Sequence, residues 1–531
     1  MKKLLLFSVL ALGTYVFTFP GGLNTNTNQS IFYTRLLCRD ASLGNDAVFY
    51  NPAGLTFLSD GLHLSINNQS IIQNKTVGSN LSLLQNKEFK GKVTAPLFPG
   101  IYGTFKTGKL AFSVGFNPIG GGGGAEFENG LPSFESQVAG LVPLLSSTGV
   151  TGYDADIYFK GSSVFYGIQI GVSYEINEII SVFGGARYII AKNTYEGHLN
   201  DISVITANGT SLASDYLTTL ATYATTGATH LTGAATSAGQ LSAYGLGSST
   251  FADAETAGAI TAEERAGFEG GLAQIGLPAT TSIDEAQVAF TTAAATYTAQ
   301  AAILTAQSAL VGDKAVDAEQ TNTGITPIIG VNLTLSERLN IGIKYELATK
   351  IELENSTTTD DVGLFPDGEK NRADLPAYLS VGAGYNVNEK LYVTGGMHLY
   401  FDKAADYGKK VDGVKVDNDV VIDNNYLELA VGGEYAVSDK ISASIGYLFA
   451  NTGVNEKYQS DISYSNSSST IGLGALYKLN EMVGINIGVS YTMYGEQEKS
   501  FAADATTGMP AYKETYDKDA LILGIGIELD F

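Results

Sequence analysis

The alternation of the last two strand-like segments constrains this chain more than any other feature. In "ALILGIGIELDF", Leu521, Leu523, Ile525, Ile527, Leu529 and Phe531 share one face, and Ile522, Gly524, Gly526, Glu528 and Asp530 the other. In "MVGINIGVSYTMY", Val483, Ile485, Ile487, Val489, Tyr491 and Met493 alternate with Gly484, Asn486, Gly488, Ser490 and Thr492. A period of two is that of a strand, and a run of about 11 residues suits a tilted strand that crosses a bilayer. The same alternation runs through 164–174, 339–347, 391–401 and 441–449.

The connections alternate in length. Short ones fall near 107, 176, 336, 386, 437 and 480, and long ones near 72–96, 119–156, 198–323, 354–374, 402–424, 451–465 and 497–517. Six short and seven long connections join fourteen strands, and an even number puts both ends on the side of the short turns. Outer-membrane barrels have this asymmetry, with short periplasmic turns and long extracellular loops. A soluble sandwich would turn a polar face outward. Here charged residues are only 16% of a chain with 62 glycines, and the second face is mostly Gly, Ser and Thr. The expected fold is therefore all-β, a 14-stranded antiparallel transmembrane β-barrel. Its apolar face would meet lipid and its small or polar face the lumen, with Leu521, Ile525 and Phe531 outside and Gly524, Glu528 and Asp530 inside.

The formal charge of -23 argues against a nucleic-acid partner. The single cysteine, Cys38, allows no intramolecular disulfide and reads as a small buried residue. Bulky Leu37 before it argues against a lipoprotein anchor. "MKKLLLFSVLALGTYVFTFPGG" has two lysines followed by an apolar run, which predicts a secretory signal over residues 1–21. The four histidines, His63, His198, His230 and His398, lie in no nucleophile motif and at no metal-ligand spacing. No catalytic residue, metal or cofactor is expected, and the chain does not read as an enzyme.

Residues 200–322 break the period-two pattern. They are rich in Ala, Thr and Ser, and "TAEE" at 261–264 and "SIDE" at 282–285 have the form of capping boxes. A folded, partly helical extracellular insertion, with a helix from Asp284 to about Leu310, stands beside the alternative of low-complexity disorder.

Two irregularities remain. Residues 22–60 precede the first strand and contain the turn Asn51-Pro52-Ala53-Gly54. Pro52 fixes φ and Gly54 permits close approach. The stretch can serve as a plug entering from below, although such a turn occurs in many proteins. In "LAFSVGFNPIGGGGGAEF", alternation through Phe116 meets Asn117, Pro118 and the run Gly120–Gly124. Proline removes a ladder donor, so the third strand either ends at Phe116 or bends there and breaks the wall.

These segments carry a resemblance. "DASLGNDAVFYNPAGLTFL" at 40–58, "FSVGFNPIGG" at 112–121, "LSERLNIGIKYE" at 335–346, "LPAYLSVGAGYNVNEKL" at 375–391 and the final "GIGIELDF" are similar to the FadL/TodX-type (OMPP1) outer-membrane transporters of hydrophobic compounds. The resemblance implies an N-terminal hatch in the lumen over 22–60, within a barrel of 61–531, and a kinked third strand that opens the wall sideways. It assigns Asn51, Pro52, Ala53 and Gly54 to the hatch signature and Phe116, Asn117, Pro118 and Gly120 to the kink. It implies a monomer in the bacterial outer membrane whose partners are membrane lipid and a hydrophobic small molecule, either a long-chain fatty acid or an aromatic hydrocarbon. The 198–323 insertion is larger than the family leads one to expect, and it supports a second reading as a surface adhesin or receptor. The turn at 51–54 is expected to sit against Asn117 and Pro118.

Overall fold

The computed structural model describes residues 23–411, 413–504 and 509–531, so the expected signal segment lies outside the described residues. Fourteen antiparallel strands form a closed wall. They are β1 Gly61–Ser79, β2 Glu88–Thr107, β3 Leu110–Phe127, β4 Val150–Glu175, β5 Ile180–Thr206, β6 Lys314–Ser336, β7 Leu339–Glu346, β8 Tyr378–Asn386, β9 Leu391–Tyr400, β10 Tyr426–Ser438, β11 Ile441–Asn451, β12 Ser468–Lys478, β13 Val483–Tyr494 and β14 Tyr512–Asp530. The wall closes where β14 pairs with β1, from His63 opposite Asp530 to Ser79 opposite Glu514. All six short turns stand where the sequence placed them.

Several strands are longer than the alternation of apolar residues alone suggested. β1 runs on to Ser79 and β2 begins at Glu88, so the first long connection shrinks to 80–87. The strand period continues there through Gln73, Asn74, Lys75 and Thr76, whose side chains are polar on both faces. Likewise β3 does not stop at Phe116 but passes through the glycine run to Phe127.

The two faces separate as expected. Ile66, Ile170, Ile329, Val431, Ile445 and Ile525 are exposed on the outside, whereas Asn67, Gln69, Gln73, Ser173, Asn332 and Asn486 are buried within. A large exposed apolar surface around a polar interior is what a lipid-embedded wall requires. Ile525→Arg is expected to cost about 2–4 kcal/mol if its site lies near the bilayer midplane. The check is its folding equilibrium in lipid, and wild-type stability would contradict the assignment of faces. No helix among the described residues is long and apolar enough to cross a membrane.

Residues 138–156 and 200–313 form a separate compact unit. Its helices Ala213–Leu241 and Ile283–Leu310 run antiparallel, since Gly227 lies by Tyr297 and Gly239 by Gln287. Leu217, Ala221, Ala224, Ala228 and Leu231 recur at alternating three- and four-residue spacing on the buried side of the first, the seam that a coiled-coil pair needs. Shorter helices at Phe251–Thr256 and Ala262–Gln274 close one end, where Phe251 stacks on Phe268 at 4.3 Å. Both expected capping boxes form, at Thr261/Glu264 and Ser282/Glu285. The helix expected from Asp284 is present; the 29-residue helix at Ala213–Leu241 was not expected.

Candidate functional site

Residues 23–57 are almost entirely buried inside the barrel and hydrogen-bond to its inner face. This segment is held by charged and polar side chains aimed inward from many strands. On β7, the Lys344 ammonium donates to the Phe49 carbonyl at 2.6 Å and pairs with Glu346 at 2.9 Å. Glu346 also takes two bonds from Arg187 on β5. The cations of Arg187 and Lys344 lie 4.8 and 4.2 Å from the centre of the Phe49 ring, favourable for cation–π attraction. Gln169 on β4 accepts from Arg187 and donates to the Val48 carbonyl.

Further round the wall, His398 on β9 sits between Asp40 of the hatch at 2.6 Å and Glu428 of β10 at 2.7 Å. Thr27 of the hatch donates to the same Glu428 oxygen at 2.7 Å, and Ser380 on β8 donates to Asp40 at 2.6 Å. Arg35 pairs with Glu434 and donates to Ser444 at 3.1 Å. Arg35 and Asp40 of the hatch thus have wall partners, and buried Asp46 pairs with Arg39 of the hatch itself at 2.6 Å, as burial of charge demands.

The hatch backbone lies so close to the wall that side chains would block it. At Gly446 on β11, a Cβ would overlap the Leu36 carbonyl. Gly446→Val is expected to cost about 1–3 kcal/mol, the usual range for overpacking a filled interior, and to loosen residues 23–57. Thermal melting together with limited proteolysis of this segment reads both effects. An unchanged melt with an equally resistant hatch would contradict the contact.

The wall is interrupted between β2 and β3. β2 and β3 pair from Thr107 opposite Leu110 up to Ile101 opposite Phe116, and again at Val93 opposite Ala125 and Lys92 opposite Glu126. Between these, residues 94–100 and 117–124 form no ladder with each other. Pro96, Pro99 and Pro118 explain much of this, because none has an N–H to donate. Gly121, at φ 86°, adopts a left-handed backbone where its missing side chain would meet the Ser163 carbonyl. The pairing of β3 with β4 slips twice, between Pro118 and Gly120 and between Gly120 and Gly123. Leu97 is 76% exposed beside the gap. Pro96 and Pro99 were not singled out in the sequence, although proline in a strand is itself a signal of irregular pairing.

Residues 24–29 of the hatch supply what this gap lacks. Asn26 N–H donates to the Ile119 carbonyl at 2.9 Å, Gly121 N–H donates to the Asn24 carbonyl at 3.3 Å, and Thr25 lies opposite Gly120 in an antiparallel bridge. The Asn117 amide donates to the Gln29 side chain, and the Tyr102 hydroxyl donates to the Gln29 carbonyl at 3.0 Å. Phe116 stacks on Tyr166 at 5.8 Å.

The turn Asn51-Pro52-Ala53-Gly54 is elsewhere. Asn51 donates to Asn332 on β6 at 2.7 Å, the Pro52 carbonyl accepts from Ser173 on β4 at 2.6 Å, and the Ala53 carbonyl accepts from Ser181 on β5 at 2.7 Å. Its expected contact with Asn117 and Pro118 is therefore corrected: the first residues of the hatch meet the irregular strand. The reason is the height of each along the wall. Ser173 stands opposite Ala111, six residues before Asn117 on β3, which is about 20 Å at the rise of a strand. A turn that must rejoin β1 at Gly61 stays near the end with the short turns.

Two small cavities border the hatch. One is lined by Asn26, Phe49, Ile119, Leu375, Tyr378 and Tyr400, among others, and the second by Asn28, Tyr33, Leu37, Ile71, Leu448 and Ile522 with their neighbours. Each offers ≈ 20 Å³, room for about one water. At the long-connection end, burial pushes the Asp402 carboxyl up to about 6, against hydrogen bonds from Tyr407 and the Leu23 N–H. Burial with the neighbouring Lys499 charge lowers Lys409 to about 7.

Comparison with known proteins agrees with this architecture. Residues 272–531 match the model of a family described as outer membrane protein transport protein (OMPP1/FadL/TodX), which bears out the resemblance read in the sequence. No curated protein matches the chain in sequence. A FadL homologue from Pseudomonas aeruginosa is similar in structure over 96% of this chain and 100% of its own, at 13% identity and a TM-score of 0.57. The Pseudomonas putida toluene transporter TodX is similar over 98% and 100%, at 12% identity and a TM-score of 0.50. At such identities the likeness is one of fold. The matched family segment does not include the motifs at 40–58 and 112–121, where the fold alone carries the likeness.

Proposed function

We propose that this chain carries hydrophobic solutes across the bacterial outer membrane, through the lumen and out sideways between β2 and β3. The observation that carries the reading is the interrupted ladder between residues 94–100 and 117–124, mended by residues 24–29, which belong to no wall strand. An apolar solute gains roughly 25 cal/mol per Å² of apolar surface on leaving water, and a lateral exit delivers it to lipid without returning it to water. Residues 23–57 lie almost entirely buried within the barrel, so passage asks the hatch to shift, and residues 24–29 are the part whose movement opens the wall.

The solute is of the long-chain fatty acid or aromatic hydrocarbon kind, and the transporter acts as a monomer without a cofactor. Liposomes bearing the purified chain are expected to take up labelled toluene or decanoate faster than empty liposomes, and not to swell in small sugars. Sugar swelling without hydrophobic uptake would make the chain a general porin. The 200–313 unit has its own core around Phe251, Phe268, Leu272 and Phe290, which favours a separable binding role, as in an adhesin or receptor. Replacing 207–312 by a short linker is expected to leave uptake intact.

A further inference from the structure

We infer that Asn68 and Ser70 on β1 are positioning residues of the sideways exit: they fasten a bulge of β2 at Pro96–Phe98 to β1 and so keep β2 from pairing with β3. Their part in the exit rests on the transport reading; the fastening itself is tested without transport.

The register shows the bulge. Gln69 stands opposite Phe98 and Ile71 opposite Ala95, so Ser70 alone faces both Pro96 and Leu97. An extra residue on one strand bends that strand and leaves backbone groups outside the ladder. Leu97 is turned outward at 76% exposure, and Pro96 has no N–H to give.

Side chains of β1 take up the groups set free. The Asn68 amide donates to the Pro96 carbonyl at 3.0 Å, and its oxygen accepts the Phe98 N–H at 3.0 Å. The Ser70 hydroxyl donates to the same Pro96 carbonyl at 3.0 Å, whose two lone pairs can serve both donors. Asn68 thus acts on the bulge as a peptide unit of a neighbouring strand would.

The fastening also explains why these two residues stand where they do. They share the outward face of β1 with Ile66 and Ile72, which flank them and are exposed. On β14, Asn68 stands opposite Ile525 and Ser70 opposite Leu523, both exposed as well. Asn and Ser therefore interrupt an apolar band that meets lipid, where a polar side chain costs free energy unless it is hydrogen-bonded. Both find their partners in the bulge, at the height of the gap between β2 and β3.

Without the fastening the gap could close. Residues 94–100 and 117–124 differ in length by one residue, a mismatch that a single bulge absorbs. Once residues 24–29 leave, the Ile119 carbonyl and the Gly121 N–H lose the partners they have there, and backbone groups facing lipid must find others. β2 is the neighbouring edge. Because β1 lies on the side of β2 away from β3, a bulge pinned to β1 holds that edge back, and the opening stays clear for solute.

The direct test places spin labels at Leu97→Cys and Ile168→Cys in a Cys38→Ala background, in lipid nanodiscs. Asn26→Pro is added to remove the N–H that ties the hatch to Ile119. With Asn68 and Ser70 in place, the distance between the labels is expected to stay as it is without Asn26→Pro. With Asn68→Leu and Ser70→Ala it should shorten by about 3 Å or more, as β2 moves toward the strand spacing of about 4.8 Å. In liposomes, Asn68→Leu with Ser70→Ala is expected to lower the maximal rate of toluene uptake at least fivefold while the half-saturating concentration stays within twofold. Asn68→Gln with Ser70→Thr, which keeps both donors, should recover most of the rate. Should the Leu/Ala pair fail to fold, Ser70→Ala alone is expected to shorten the distance in the same direction and to halve the rate. A distance that does not shorten, or one that shortens while uptake stays at the wild-type rate, would overturn the positioning role. Absence of uptake by the wild-type chain would instead count against transport, and the label distances would still decide the fastening.

Discussion

Glu346→Gln is expected to destabilise the folded chain by about 3–5 kcal/mol, the usual penalty when one partner of a buried charge network is removed. Glu346 is the single carboxylate shared by Arg187 and Lys344. All three are buried, with Lys344 at 1% and Arg187 at 3% exposure. Without the carboxylate, two positive charges that shared it are left close together beside the Phe49 ring, in a setting that water screens poorly. Their ties to the hatch, Lys344 to the Phe49 carbonyl and Arg187 through Gln169 to the Val48 carbonyl, then compete with mutual repulsion. The loss should fall on the hatch first, because the barrel ladder itself remains intact. Urea unfolding in micelles, read alongside protease cleavage within residues 23–57, separates hatch release from barrel melting. A change under about 1 kcal/mol would show that these charges are not what seats the hatch.

The barrel was legible because its information is local. Alternation marks a strand and its two faces within a dozen residues, and each of the six short turns carries its own polar break. Strand ends were less legible. Beyond Ile72 both faces of β1 are polar, so the period persists without an apolar mark, and the glycines of β3 have no side chains with which to display a face. The helix Ala213–Leu241 was hidden by its composition. Its threonines are poor helix formers, but Thr222, Thr225, Thr229 and Thr232 each donate to the carbonyl four residues earlier, and its seam is mostly alanine, with leucines only at intervals.

The site divides in the same way. Asn117, Pro118 and Gly120 signal a defect in a strand because proline and glycine act locally. What fills the defect is a matter of tertiary placement, and no spacing in the chain tells residues 24–29 from residues 51–54 as the partner. The inward charges Arg187, Lys344, Glu346 and Glu428 were not marked out in the sequence, and His398 stood there only as one of four histidines in no motif, for a related reason. Each is one polar residue on an alternating strand, which reads as ordinary lumen lining until the hatch is seen against it.

The central claim is that residues 24–29 close the break between β2 and β3 and must leave it for solute to pass. The direct test uses Gln29→Cys with Asn117→Cys in a Cys38→Ala background, joined by a short reducible bis-thiosulfonate cross-linker. Their native side chains are hydrogen-bonded to each other, so the link should hold the closed arrangement without distorting it. Uptake of labelled hydrophobic solute into liposomes is predicted to fall to the level of empty liposomes when the link is closed and to recover on reduction. Uptake that continues unchanged through the closed link would contradict the claim and place the passage elsewhere in the barrel.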